Sequence, residues 1–105
     1  MSIEQQVEVL NGITQIMHDS AHGKYEEMRC EFEHEVYEGG WSVGSKYSFV
    51  RNGLSVSELL DDPEDRASGL VHQLHELMKS HTGGDWKSFV LAVDPSGKAK
   101  TNFTY

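Results

Sequence analysis

At 105 residues the chain has the length of one domain, long enough to bury a single core and too short for two. Nine Lys and Arg against 17 Asp and Glu leave a net charge of −8, which repels phosphate backbones, argues against direct nucleic-acid binding and favours a basic protein partner. No apolar run approaches the ~18 residues of a membrane span, and the single cysteine, Cys30, excludes an internal disulfide and fits a reducing compartment.

The opening residues, Met1 to Gln6, carry neither a basic region nor an apolar one, so the sequence predicts no signal peptide and a cytoplasmic protein. Over residues 2–21, Ile3, Val7, Leu10, Ile13 and Met17 recur at helical spacing, with Glu4, Gln5, Glu8, Asn11 and Gln15 around the other side. This predicts an amphipathic helix behind Ser2 that stops at Gly23; Gly12 in its middle marks a close packing contact.

From Tyr25 the period changes to two. Met28, Cys30, Phe32, His34 and Val36 face one way, while Arg29, Glu31, Glu33, Glu35 and Tyr37 face the other, a half-buried strand with an acidic outer face. Glu38-Gly39-Gly40 turns the chain into a second strand, Trp41 to Val50, with Trp41, Val43, Tyr47 and Phe49 on one face and Gly44 interrupting it. Arg51-Asn52-Gly53 is a further turn. Beyond it, Ser57 before Glu58-Leu59-Leu60 suggests a short helical turn ending ahead of Pro63.

Asp62-Pro63-Glu64-Asp65 has the composition of a helix entrance. Ala67, Leu70, Val71, Leu74, Leu77 and Met78 then form the stripe of a second helix, which ends near Gly83-Gly84. The chain closes with two strands folded across Asp94-Pro95-Ser96-Gly97, where Pro presets φ and Gly supplies a positive one. The expectation is an α+β domain over 1–105, a four-stranded antiparallel sheet with two helices packed on one face, in the order α-β-β-α-β-β.

Few residue patterns suggest catalysis. His18 and His22 have the i, i+4 spacing of a helical zinc pair but no third ligand is indicated, and His72 and His75 border the second helix's apolar stripe as boundary histidines do. Cys30 alternates with Met28 and Phe32 and reads as a core thiol. Trp41 and Trp86 read as core anchors or interface residues. Glu31, Glu33 and Glu35 share one strand face without an apolar pocket to separate their pKa values, so a solvated or partner-binding surface accounts for them better than acid–base chemistry.

The last twenty residues carry a resemblance. Trp86 opens an aromatic and aliphatic strand, Asp94-Pro95-Ser96-Gly97 precedes Lys98 and Lys100, and Phe103 and Tyr105 close the chain; together these resemble the C-terminus of the YezG-type immunity (antitoxin) family. The upstream order of helix, acidic hairpin and leucine-rich helix is similar as well. The resemblance implies a small cytoplasmic bacterial protein that binds and neutralises a cognate toxin, often a nuclease, and carries over no catalytic residue; the residue patterns above add the expectation of no metal and no cofactor.

A nuclease needs a basic surface for phosphate, and an acidic inhibitor competes for that surface and associates quickly. The expected partner-binding residues are therefore Glu26, Glu27, Glu31, Glu33, Glu35 and Glu38, set against a toxin's active-site cleft, with coverage of an exosite through Trp41 and the 51–62 loop as the alternative, in a monomer or weak homodimer. Two other classes fit the same sequence: a non-catalytic adaptor or dimerising domain, and a small metal-binding or hydrolytic enzyme built on His18 with His22 or His72 with His75.

Overall fold

The computed structural model describes residues 2–21, 23–60 and 65–105. Helix α1 covers Ser2–Ser20, followed by strands β1 (Glu27–Tyr37), β2 (Gly40–Arg51) and β3 (Leu54–Glu58), helix α2 (Arg66–Thr82), and strands β4 (Ser88–Val93) and β5 (Ala99–Thr104). The strands form one antiparallel sheet in the order β3-β2-β1-β4-β5. The α+β class stands, but the sheet has five strands and the order is α-β-β-β-α-β-β, which corrects the four-stranded expectation.

The extra strand, Leu54–Glu58, takes in Ser57 and Glu58, the first half of the helical turn expected at 57–60. Asn52 (φ 54°) and Gly53 (φ 75°) are both left-handed, the conformation of a two-residue hairpin turn that matches strand twist. They fold β3 onto β2 from Arg51↔Leu54 to Tyr47↔Glu58. Glu26 helps to hold this corner, its Oε1 accepting from Gly53 N at 2.9 Å. As a short edge strand with mostly exposed side chains, β3 alternates apolar residues only at Leu54 and Val56, too few to establish a period. The helix entrance expected at Asp62 and Pro63 lies outside the described residues; α2 begins behind Asp65, which sits at φ 53° and makes no side-chain cap.

Both helices cover one face of the sheet. Ile13 and Met17 of α1 and Val71 and Leu74 of α2 pack with Met28, Cys30, Phe32, Tyr47, Phe49, Phe89 and Leu91, all buried. On α1 the buried stripe is Val9, Ile13, Ile16, Met17 and Ser20, whereas Val7, expected inside, is half-exposed because it lies two residues before Val9 and so on nearly the opposite side of the helix. The close contact expected at Gly12 is present: a Cβ there would lie 3.1 Å from Leu70 Cδ1 on α2. The Tyr47 hydroxyl donates to the Met17 carbonyl at 2.7 Å, and Arg51 donates from Nε to the Lys24 carbonyl at 2.7 Å and from a terminal nitrogen to Ala21, fastening the end of α1 to β2.

The opposite face of the sheet carries no helix. Its side chains are fixed by register: Glu27, Arg29, Glu31, Glu33 and Glu35 on β1, flanked by Val50, Ser48, Lys46, Gly44 and Ser42 on β2 and by Ala92, Val90 and Ser88 on β4.

Candidate functional site

The structure divides the expected partner-binding residues among four places. Glu27, Glu31, Glu33 and Glu35 stand on the open sheet face. Glu26 is engaged in the β2–β3 corner, and Glu38 lies in the β1–β2 turn. Trp41 projects to the helix side, paired with Val36.

Charge on the open face is graded along β1. Lys46 lies opposite Glu31, with its Nζ 3.9 Å from the carboxylate, and Arg29 occupies the same face one step further along. Lys100 pairs with Ala92 beyond Arg29. These cations offset Glu27 and Glu31. Towards the turn the neighbours change: Glu33 stands between Gly44 on β2 and Ser88 on β4, and Glu35 stands opposite Ser42. In the sequence Glu31, Glu33 and Glu35 look alike; the cross-strand register leaves the negative end of the face at Glu33 and Glu35, beside small side chains on β2 and β4.

On the helix side of the same hairpin lies a cluster of rings that the sequence did not bring together. His34 Nε2 is 3.0 Å from His72 Nδ1, so one nitrogen of the pair donates and the other accepts. His34 stacks on His75 at 4.0 Å between centroids, and His75 Nε2 contacts Asp85 Oδ1 at 2.9 Å. Trp41 stacks on His72, and the edge-on ring of Trp86 closes the cluster below, 4.9 Å from His75. His34 and His75 are 3% and 2% exposed, so solvent reaches the cluster mainly through His72, Trp41 and Asp85. Alternation placed His34 on the inner face of β1 and Trp41 with Val43, Tyr47 and Phe49 on one face of β2; the pairing of His34 with α2 joins residues 38 apart and has no local signal.

Burial, reinforced by the neighbouring His75 and His72 rings, lowers the His34 pKa to about 4, against the smaller opposing pull of Glu76 and Asp85. The hydrogen bond from His75 holds the Asp85 carboxyl below the ordinary carboxylate range. His75 Nδ1 and Trp86 Nε1 are buried without a hydrogen-bond partner among the described residues. No group of three or more His, Cys, Asp or Glu among the described residues is arranged to hold a metal ion. His18, the other candidate ligand, contacts the Tyr25 hydroxyl at 2.9 Å, and His22 lies outside the described residues. Cys30 is buried, and desolvation pushes its thiol up to about 12. Arranged in this way, the histidine cluster joins α2 to the β1–β2 hairpin and presents Trp41 at its rim.

Fold and surface together define a helix-backed, five-stranded open-sheet domain whose uncovered face ends at Glu33 and Glu35, with Gly44, Ser42 and Ser88 as their cross-strand partners and Lys79 and Lys87 lining the adjoining pocket. No protein-family model matches the chain. It is similar to a Stenotrophomonas maltophilia protein named Chorionicgonadotropic hormone-like protein, with 32% identity over 78 residues, covering 72% of this chain and 18% of that protein. The chain therefore spans less than a fifth of this relative's length. No described helix is long and apolar enough to cross a membrane.

Proposed function

We propose that this domain is an immunity protein (antitoxin) that binds and neutralises a basic bacterial toxin, a nuclease by the logic of charge, through the Glu33–Glu35 end of its open sheet face. The observation that carries this reading is the register: Glu33 lies between Gly44 and Ser88 and Glu35 opposite Ser42, so a cationic surface can approach both carboxylates without meeting a cross-strand lysine or arginine. Carboxylates placed this way steer a basic partner and orient it on arrival. The resemblance of residues 86–105 to the YezG-type family supports the same reading. Glu27 and Glu31, offset by Arg29 and Lys46, contribute less.

The test is association kinetics with the product of the neighbouring gene. Glu33→Lys with Glu35→Lys should slow association by about tenfold and flatten its salt dependence, while Glu27→Lys changes it little. Equal rates for all variants would remove the carboxylates from recognition.

A second reading has its own support. Val36, Tyr37 and Trp41 at the hairpin end are 72%, 56% and 39% exposed, an apolar tip suited to a non-catalytic adaptor or dimerising domain. Size-exclusion mass at two concentrations, together with toxin-neutralisation assays, separates the two.

A further inference from the structure

Strand β2 is longer than the strand that covers it. β3 pairs with β2 only from Tyr47 to Arg51, whereas β2 begins at Gly40. Among the described residues no strand pairs with the outer edge of β2 over Gly40–Lys46, so alternate backbone N–H and C=O groups there face away from the sheet; at its start the Trp41 carbonyl accepts from the Tyr37 hydroxyl at 3.3 Å. The two outer strands also offer edges, but β3 is only five residues long, and β5 carries Lys100 and follows Lys98, charges that discourage a further strand. The β2 edge carries Ser42, Gly44 and Ser45, with its one lysine at the end.

Gly44 sharpens the point. A glycine inside a strand weakens it by about 0.5–1 kcal/mol relative to Ala and ordinarily serves a bulge, a positive φ or a close approach of another group. The β1–β2 register runs without interruption from Glu27↔Val50 to Tyr37↔Gly40, which excludes a bulge. Gly44 is not among the positive-φ residues, and a Cβ placed on it meets no atom within 4 Å. Nothing in the fold itself requires glycine here. What its missing side chain does leave is an open track across β2, from the free edge to Glu33 directly opposite.

We propose that the outer edge of β2 over Gly40–Lys46 receives an extended segment of the partner as a sixth strand. This segment carries Lys or Arg at alternate positions towards the open face and apolar side chains towards the helix side. The inference rests on the basic-partner reading above and supplies its binding mode. Neighbouring strands lie about 4.8 Å apart, so β1 is roughly 10 Å from the added strand, a span that a lysine or arginine lying over Gly44 or Ser42 covers to meet Glu33 or Glu35. On the other side of the ribbon, half-buried Val43 and exposed Trp41 offer apolar surface to the intervening side chains. Backbone pairing supplies affinity, and the alternation of charged and apolar residues supplies register and specificity.

The probe is an eight-residue capped peptide of alternating Lys and Val, titrated into the isotopically labelled full chain, with an alternating Glu and Val peptide as control. Amide shifts and slowed exchange should be confined to residues 40–46 and their β1 partners, with the Lys peptide binding about tenfold tighter than the Glu peptide. Gly44→Val should fold with a Tm at or above that of the parent while weakening the Lys peptide about tenfold. Ser42→Lys, at an exposed position, provides a second variant with the same expected loss. Shifts at the β5 edge or on the helices, no binding, equal affinity for the two peptides, or unchanged binding by both variants would overturn the proposal. So would protection of 40–46 that grows with protein concentration in the absence of peptide, which assigns the edge to a second copy of this chain. If the Lys peptide binds as expected and no toxin is neutralised, the immunity reading fails and the edge site stands. If toxin is neutralised equally by the parent and by both variants, the reverse holds.

Discussion

The indole of Trp41 lies flat on the imidazole of His72, with centroids 4.0 Å apart and planes 3° from parallel. The two residues sit on β2 and α2, so this stack, with the His34–His72 contact beneath it, joins the far end of the β1–β2 hairpin to the helix layer. It also explains how a 39% exposed tryptophan keeps one face covered. Trp41→Ala should lower unfolding free energy by about 1–2 kcal/mol, from lost stacking and apolar burial, with Trp41→Phe losing less. Urea unfolding at constant m-value measures this, and an unchanged midpoint would show that the stack contributes no stability.

The histidine cluster should make the fold acid-sensitive above the usual carboxylate range. The His34 pKa is depressed from 6.5 to about 4 in the folded state, so the unfolded chain binds the extra proton between those values. Stability from this group is complete above 6.5 and falls with pH through the window down to about 4, by at most about 1.4 kcal/mol per pH unit. Asp85, whose pKa is also depressed, adds a loss at still lower pH. His34→Gln should flatten the stability profile between pH 6.5 and 4; a profile as steep as that of the parent would assign the sensitivity to other groups.

Cys30 should behave as an inert thiol. It lies fully inside the sheet–helix core, and desolvation, with Glu31 adding a little against the backbone hydrogen bond from Lys46, raises its pKa to about 12. Labelling by a disulfide reagent near neutral pH should be about a hundredfold or more slower than in urea and should follow the opening of the fold. Rapid labelling of the native protein would contradict this placement.

Two glycines should respond in opposite ways. Gly53 occupies the left-handed second position of the β2–β3 turn, so Gly53→Ala should cost about 1–2 kcal/mol and loosen β3 first, visible as faster amide exchange over 54–58. At Gly12 the helix gain of about 1 kcal/mol from alanine is opposed by the 3.1 Å approach to the Leu70 methyl, the flexible end of a half-buried side chain. Gly12→Ala should therefore stay within about 0.5 kcal/mol of the parent, whereas Gly12→Leu should cost about 1–3 kcal/mol by forcing the helices apart. Thermal unfolding of the three variants checks both positions.

The sequence by itself determined the two helices, four of the five strands and three turns, because those features depend on neighbours close in the chain. Alternation placed Met28, Cys30, Phe32 and His34 on one face, and Pro95 with Gly97 located the closing hairpin, where Asp94 Oδ1 accepts from Ser96 N at 2.9 Å and from Lys98 N at 3.0 Å. Asn52-Gly53 also marked the turn ahead of β3, but that strand is short and exposed, and its alternation is limited to Leu54 and Val56 before it runs into the helix-start pattern Ser57-Glu58-Leu59-Leu60. Tertiary structure alone decided which charges meet. Glu31 and Glu33 look equivalent in the sequence, yet register sets Lys46 opposite one and Gly44 opposite the other. The same holds for the ring cluster: His34, His72, His75 and Trp41 come from three elements that local periodicity places on their faces, and only the packing of α2 against the β1–β2 hairpin brings their nitrogens and rings into contact. Faces follow from a period of two or 3.6 residues, whereas cross-strand partners follow from the registers of separate strands, which no local pattern encodes.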